Sequence, residues 1–210
     1  MSKSAFYLLR VGRVAEPAAT LFDPVDISED GPPPRCPSCH GPVGMLTWRP
    51  PFVAELEPLE VEYGDIAKGP INDFLISERL KSLIMEEGIQ GVSGLEPVEI
   101  KRVRRHRKIT GERPAYYRMR VSIHTVALDF EASKIEYGRA PVCATCRSGN
   151  ITAIDRLVVD QSTWNGEDLF TPRGLSGFVI VSQRFERLCR AHSIKNAFFI
   201  PLEEYCHRYI

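Results

Sequence analysis

The chain has 210 residues, of which 43% are apolar, enough to bury a core. Its 27 basic and 27 acidic side chains balance, which excludes a global field that would draw it to nucleic acid or an anionic membrane. No apolar run reaches the roughly 18 residues of a membrane span or forms a secretion signal, so we expect a cytoplasmic protein with no membrane partner. Sixteen prolines favour short elements and turns, and we therefore expect an α+β fold.

The first quarter of the chain predicts two strands, a cysteine turn and an acidic stretch. A strand is predicted over 5–11, and a proline-rich loop then leads into the first Cys-x-x-Cys pair. A short strand over 45–53 is interrupted by two prolines. The stretch 55–65 contains no base, which predicts a solvent-facing segment. Its five acids are Glu55, Glu57, Glu60, Glu62 and Asp65.

An amphipathic helix and a long hairpin are predicted next. Ser77 is a suitable N-cap, and apolar residues at helical spacing follow it, so we predict a helix over 77–87. The segments 98–108 and 116–130 are separated by a Thr-Gly-Glu-Arg turn, and the second alternates apolar and polar residues. They predict a long hairpin with one apolar face.

The second half of the chain repeats the first. The cysteine pairs align at an offset of 107 residues, and the helix caps Ser77 and Ser182 align at 105. An Asp-apolar loop, an apolar strand and a Ser-x-Arg helix start follow each cysteine pair in the same order. We therefore predict one structural unit over 1–210, built from two repeats of about 1–110 and 111–210. Each repeat would lay its helix, over 77–87 or 182–192, across a small antiparallel sheet of its own, with the hairpin between them.

The two cysteine turns predict a structural zinc site. A Cys-x-x-Cys turn presents two thiolates on one side of a tight turn, so one pair supplies half of a tetrahedron. Together the pairs supply the closed set typical of structural zinc, which would bridge the two repeats. The expected ligands are Cys36, Cys39, Cys143 and Cys146. His40, directly after Cys39, is expected beside the metal, and Cys189 and Cys206 are expected to be core thiols.

Three other interpretations of the cysteine pairs remain open. The sequence Cys-Pro-Ser-Cys-His matches the haem attachment pattern, although the second pair is followed by Arg147. A thioredoxin-like pair would begin a helix after a strand, whereas both pairs lie among prolines and glycines. The third interpretation is four free thiols without a ligand. A nucleophilic pair of Cys189 and His192 is conceivable, but their spacing is also that of ordinary helix packing.

A basic arm is the other feature that could carry function. Between Glu99 and Arg120 there are nine bases and two acids, so the remainder of the chain carries a net charge of −7. With Tyr116 and Tyr117 as stacking rings, the arm could bind nucleic acid, or it could protect a hairpin edge from aggregation. The arm comprises residues 101–108 with Arg113, Arg118 and Arg120. The sequence contains no nucleophile elbow, P-loop or zinc-protease motif, and we therefore expect no enzyme.

The spacing of the cysteine pairs resembles a known family. Paired Cys-Pro-x-Cys and Cys-x-x-Cys turns about a hundred residues apart are similar to the myxobacterial paralogous family with a double CXXCG motif. Each turn is followed by an Asp-apolar loop, a Ser-x-Arg helix start and a Pro-x-Glu end. The glycine of the motif comes one residue late at Gly41, after His40, and two residues late at Gly149, after Arg147 and Ser148. Members are described as immunity proteins for Sit-type polymorphic toxins exchanged between kin cells.

The resemblance implies a non-enzymatic antitoxin that binds a cognate toxin. The alternative is a zinc-ribbon protein that binds nucleic acid through the hairpin 101–120. As the toxin-binding surface we favour the acidic face, which consists of Glu55, Glu57, Glu60, Glu62 and Asp65. Acids that imitate a phosphate backbone would suit the basic cleft of a nuclease toxin.

Overall fold

The computed structural model describes residues 5–12, 20–25, 31–59, 61–70, 73–104 and 108–208. The described residues form a mostly β fold with two α-helices, compatible with the expected α+β class. The strands are β1 (Phe6–Val11), β2 (Thr20–Pro24), β3 (Val53–Pro58), β4 (Ile66–Lys68), β5 (Phe74–Ser77), β6 (Val92–Val103), β7 (Tyr116–Ala127), β8 (Lys134–Arg139), β9 (Asn150–Arg156), β10 (Leu169–Arg173), β11 (Ile180–Ser182), β12 (Ala197–Pro201) and β13 (His207–Arg208). The helices are α1 (Glu78–Glu86) and α2 (Gln183–Ala191).

Both helices begin at a serine cap, as the sequence predicts. The Oγ of Ser77 accepts the N–H of Leu80, and the Oγ of Ser182 accepts the N–H of Phe185, each at 3.3 Å. These bonds satisfy backbone donors that have no partner within the first helical turn. The predicted strand at the N-terminus is likewise confirmed as β1.

Five strands of the first half and β7, the first strand of the second half, close into a hydrogen-bonded ring. The order is β7, β5, β4, β2, β3 and β6, and β6 pairs back with β7. Successive side chains on a strand face opposite sides, so on β3 Ala54 and Leu56 are fully buried while Glu55 and Glu57 face outward. The core cluster takes a residue from every strand of the ring: Phe22, Trp48, Ala54, Leu56, Ala67, Leu75, Val98 and Tyr116.

The same sheet continues beyond β7 with strands of both halves. Strands β10, β11, β1 and β12 follow in that order and complete ten strands, while β8, β9 and β13 form a separate small sheet. A central apolar cluster draws on both helices, through residues such as Leu80, Ile84, Phe185 and Leu188, and on strands of both halves. The two halves therefore share one core. Within the described residues, no helix has the length and apolar character needed to cross a membrane.

The first strand of each half pairs with strands of the other half. β1 lies between β11 and β12, with Phe6 opposite Ser182, while the start of β7 lies between β5 and β6, with Tyr116 opposite Ser77. This exchange differs from the expectation that each helix lies across a sheet of its own half. The sequence pattern indicates which segments form strands but not which strands pair with each other, because pairing depends on contacts between distant residues.

Two predicted strands have different limits in the structure. The expected strand over 45–53 is reduced to an isolated bridge between Thr47 and Gly31, and β3 begins only at Val53. β6 and β7 pair in antiparallel, but β6 starts at Val92 and pairs with β7 only as far as Val98, so the predicted first arm over 98–108 is wrong. Beyond that point β6 turns to β3, which it joins in parallel and so closes the ring.

A buried aspartate anchors the start of each helix. Asp65 accepts hydrogen bonds from the Ser77 hydroxyl at 2.7 Å and from Arg79 at 2.6 Å. Its Oδ2 also accepts the backbone N–H of Lys195 at 2.8 Å, directly after α2 of the other half. Arg79 in turn donates to the carbonyl of His192, at the end of α2.

Asp168 of the second half makes the corresponding contacts, with the start of α2 and with the chain that follows α1. Asp168 accepts from the Ser182 hydroxyl at 2.6 Å, from Arg184 at 3.0 Å and from the backbone N–H of Gln90 at 3.0 Å. Arg184 donates to the carbonyls of Glu87 and Gly88, at the end of α1. Each half thus caps the helix end of the other, and the two sets of contacts are reciprocal.

Gly91 allows the two halves to approach at this junction. Its φ is +92°, and a Cβ on it would lie 1.9 Å from the carbonyl oxygen of Leu169. We predict that Gly91→Ala lowers the free energy of unfolding by about 3 kcal/mol or more, since both the backbone strain and the clash must be relieved. Urea titration followed by circular dichroism measures the change.

Gly166 provides the matched control. Its φ is +93°, and nothing lies within 4 Å of the Cβ that alanine would add. Gly166→Ala should therefore cost only the backbone strain, about 1 kcal/mol. Equal losses for the two variants would show that the close approach at Gly91 does not matter.

Candidate metal centre

The two Cys-x-x-Cys segments form turns of the same shape. In the first, the N–H of His40 donates to the carbonyl of Cys36 at 3.0 Å, and in the second the N–H of Arg147 donates to Cys143 at 2.8 Å. Each turn brings its two sulfurs to one side of the backbone. The fold places the turns against each other, although 107 residues separate them.

The four sulfurs have the spacing of a tetrahedral metal site. The Sγ of Cys36 is 3.8 Å from that of Cys143, and Cys39 is 3.7 Å from Cys146, with all four within 4.8 Å of one another. Sulfurs bound at about 2.3 Å to a tetrahedral zinc ion would be about 3.8 Å apart. A disulfide bond requires about 2.05 Å, and all four cysteines are free thiols. The cluster can therefore hold a metal ion.

Hydrogen bonds from backbone N–H groups of the turns favour the thiolate form of two cysteines, and the thiolate is the form that binds a cation. The backbone N–H groups of Cys146 and Thr145 lower the pKa of Cys143 to about 6, and that of Cys39 lowers the pKa of Cys36. The N–H of Gly41 favours the thiolate of Cys39 as well, but the neighbouring thiols outweigh it and raise its pKa to about 11. Four adjacent sulfurs repel one another when ionised, and a bound cation removes that repulsion.

Contacts around the cluster join the two turns without a metal. The hydroxyls of Ser38 and Thr145, the third residues of the two turns, share a hydrogen bond at 2.7 Å. Behind the first turn, the carbonyl of Val43 accepts from His124 Nε2 and from the Ser176 hydroxyl, both at 2.9 Å. Most of these contacts could not be predicted from the sequence. Only the Ser38 and Thr145 pair carried a signal, since both are hydroxyl residues at the 107-residue offset.

His40 and Arg147 occupy equivalent positions directly after the second cysteine of each turn. Their φ angles are +57° and +54°, in the left-handed region that favours glycine. Neither position carries the glycine of the double motif, yet both have the left-handed backbone conformation that glycine favours. The Arg147 side chain donates to the Leu128 carbonyl and stacks on Phe130, and these contacts offset the strain of its left-handed backbone. The His40 side chain is exposed.

The remaining cysteines lie outside this cluster. Cys189 is buried in the central core, and burial raises its pKa to about 12, which leaves it an inert thiol rather than a nucleophile. Cys206 is exposed, so the expectation of a core thiol is wrong at this position. It lies between the buried Tyr205 and the short strand β13.

The structure separates the residues of the acidic face. Glu55 pairs with Arg104 at 3.0 Å, and Glu62 pairs with Lys195 at 2.5 Å. Glu57 faces outward on β3, and Glu60 lies outside the described residues. Asp65 is buried as the anchor of α1, so its role is structural. The partner-binding role of the other acids remains a prediction.

The basic arm lies directly beside these acids. β3 and β6 are neighbouring strands, with Glu55 opposite Arg102, and Arg104 bridges Asp23 and Glu55. Arg118 and Tyr116 are buried, so neither belongs to a surface that could contact nucleic acid. Residues 105–107 lie outside the described residues. The arm is thus partly neutralised by acids on the adjacent strand.

The fold and the cysteine cluster define a mostly β protein with a candidate structural metal centre between its two halves. A family model described as "Immunity protein family (Imm11)" matches residues 10–204. Because the match covers nearly the whole chain, the protein belongs to this immunity protein family, and the immunity-protein interpretation of the motifs is confirmed. No curated protein matches the chain.

The ionised form of Asp65 should stabilise the fold. Burial alone would raise its pKa, but Arg79, the Lys195 N–H and the Ser77 hydroxyl overcome burial and hold the pKa below its usual 3.8. We predict that Asp65→Asn lowers the free energy of unfolding by about 1–3 kcal/mol at pH 7. A depressed pKa stabilises the fold above the unfolded-state value, so this difference should shrink as the pH falls below about 4.

Denaturant unfolding between pH 3 and 7 tests this prediction, with Asp155→Asn as the control. Asp155 also pairs with an arginine, Arg208 at 3.0 Å, but its side chain is 43% exposed. That change should cost no more than about 0.5 kcal/mol at any pH. A loss for Asp65→Asn that does not vary with pH would contradict the electrostatic account.

Proposed function

We propose that this protein is a non-enzymatic immunity protein that binds a cognate polymorphic toxin, exchanged between kin bacterial cells, and blocks its action. The observation that carries the proposal is the family match over residues 10–204. The four free thiols of the cluster suit a reducing compartment, and we propose the cytoplasm as the site of action. Arg118, Tyr116 and the neutralised Arg104 give no support to the alternative of nucleic-acid binding.

We propose zinc as the resident metal of the cysteine cluster. Four thiolates and no open position match a structural zinc site, whose function is to stabilise a fold. Cys36 and Cys39 would bind it from the first half, and Cys143 and Cys146 from the second. The ion would hold the two turns together where the Ser38 and Thr145 hydroxyls already meet.

We also propose that the chain is one structural unit formed by two copies of an ancestral segment, approximately 1–110 and 111–210. The cysteine turns, the serine caps and the reciprocal anchors at Asp65 and Asp168 support this proposal. Each half places its first strand, β1 or the start of β7, in the sheet of the other half. This arrangement is expected if the two subunits of an ancestral dimer became joined in one chain. The shared core makes either copy incomplete without the other.

The zinc proposal predicts one zinc ion per chain in purified protein. Cys36→Ser should remove it and lower the melting temperature, because a structural zinc site contributes on the order of 10 kcal/mol in small domains, with part of that loss offset here by the large core. Elemental analysis and thermal unfolding measure both effects. Cys206→Ser, which removes an exposed thiol outside the cluster, should change neither. Unchanged zinc content after Cys36→Ser would disprove the assignment.

The acidic face should act by speeding encounter with a basic toxin. Charge complementarity acts over about a Debye length and raises the association rate more than it slows dissociation. We predict that reversing Glu57 and Glu62 to lysine reduces the association rate at least tenfold at low salt and weakens growth protection. Binding kinetics and co-expression with the toxin encoded by the neighbouring gene measure these effects.

The matched control reverses Glu86 and Glu131, which lie outside this face. The pair has the same change in net charge, so it separates local from global electrostatics. Equal effects of the two double variants would show that only the net charge of the protein matters. Loss of the effect at high salt is expected for the Glu57 and Glu62 variant.

A further inference from the structure

A groove beside the first cysteine turn exposes two large apolar side chains. Met45 and Leu46 are 50% and 48% exposed, although the fold buries most of its large aliphatic residues. Both line a cavity of about 210 Å³ between the segment after the cysteine turn and the strand β7. Val121 and Ile123 of β7 contribute its apolar wall. Exposed apolar side chains around a cavity are characteristic of an interaction site.

Hydrogen bonds on either side of Met45 and Leu46 fix the backbone of the segment that carries them. The carbonyl of Val43 accepts two hydrogen bonds, from His124 Nε2 and Ser176 Oγ. Thr47 pairs with Gly31 through two backbone hydrogen bonds, at 2.8 and 3.1 Å. The two apolar residues thus lie between fixed points, and holding them in place costs little entropy when a partner binds.

A buried ion pair lies at the polar end of the groove. Asp73 is 4% exposed, lines the cavity and accepts from Arg118 Nε at 2.8 Å. Arg120 approaches the other carboxylate oxygen with its Nε at 3.5 Å, and its side chain is 39% exposed. Among the described residues, the terminal nitrogens of Arg120 have no hydrogen-bond partner. They therefore present a donor fork to an incoming oxygen, the geometry that suits a carboxylate.

The charge around the groove favours an acidic partner segment. Residues 31–49 contain two arginines, Arg35 and Arg49, and no acid. The guanidinium of Arg49 lies close to Gly31, which pairs with the lining residue Thr47. Asp73 binds Arg118, and Arg118 also binds Glu96 at 3.2 Å, so the two acids balance Arg118 and Arg120. The remaining charge beside the groove is that of Arg49, which is positive.

We propose that this groove is the anchor site for the toxin, and that it takes an apolar side chain next to a carboxylate. The apolar side chain packs between Met45, Leu46 and the wall of β7, and the carboxylate binds the terminal nitrogens of Arg120. Apolar and arginine contacts in a desolvated pocket are the ones that slow dissociation, whereas the acidic face governs encounter. The inference rests on the proposed function, because the toxin is the partner that the family implies.

Dissociation kinetics of the purified toxin encoded by the neighbouring gene test the groove. Leu46→Arg, which puts a cation and a longer side chain into the cavity, should raise the dissociation rate about 100-fold or more. Arg120→Gln should raise it at least tenfold, with little change in the association rate. Met85→Arg is the matched control, since Met85 is 64% exposed on α1, outside the residues that line the groove, and should leave dissociation within twofold. Melting temperature and zinc content confirm that each variant is folded.

The outcomes separate this inference from the proposed function. If the wild-type protein binds the toxin and Leu46→Arg dissociates no faster than Met85→Arg, the groove is not the anchor, while the immunity function stands. If the wild-type protein neither binds the toxin nor protects growth, the proposed function fails and the inference fails with it. Faster dissociation for Leu46→Arg alone, with Arg120→Gln unchanged, would overturn the carboxylate part of the proposal.

Discussion

The fold depends on the mutual capping of its two halves. Each buried aspartate fixes the serine and arginine at the start of its own helix and accepts a backbone N–H from the chain that leaves the other helix. Without that N–H each buried carboxylate would lose one hydrogen bond, so the start of each helix is stabilised by the chain that follows the other helix. The exchange of first strands between the halves adds to this dependence. The central core, which draws on both helices, follows from the same arrangement.

Contacts between the halves also join the cysteine turns, which are 107 residues apart. The turns at Cys36 and Cys143 lie side by side, and the Ser38 and Thr145 hydroxyls bond across the junction. In our account a metal ion then fixes a contact that the backbone has already prepared. The left-handed residues His40 and Arg147 show that this turn geometry persists without the glycine of the motif.

Local signals in the sequence predicted the local structure well. The sequence predicts the serine caps, the helical spacing of Leu80 and Ile84 and the cluster of four cysteines. Each of these features depends on residues close in sequence or on a distinctive ligand chemistry. The sequence does not predict strand partners, since the exchange of β1 and the two partners of β6 depend on contacts between distant residues. For the same reason the sequence predicts a solvent-facing Asp65. It belongs to a charged stretch of the sequence, whereas in the structure it is buried and accepts the N–H of Lys195, 130 residues away.

The central claim is that one metal ion, bound by two cysteines from each half, joins the halves. X-ray absorption at the zinc edge of the purified protein tests it most directly, because it reports the number and type of ligand atoms. The account predicts four sulfur ligands at about 2.3 Å and no nitrogen or oxygen ligand. A mixed sulfur and nitrogen shell, or a cluster that has formed disulfide bonds and holds no zinc, would contradict it.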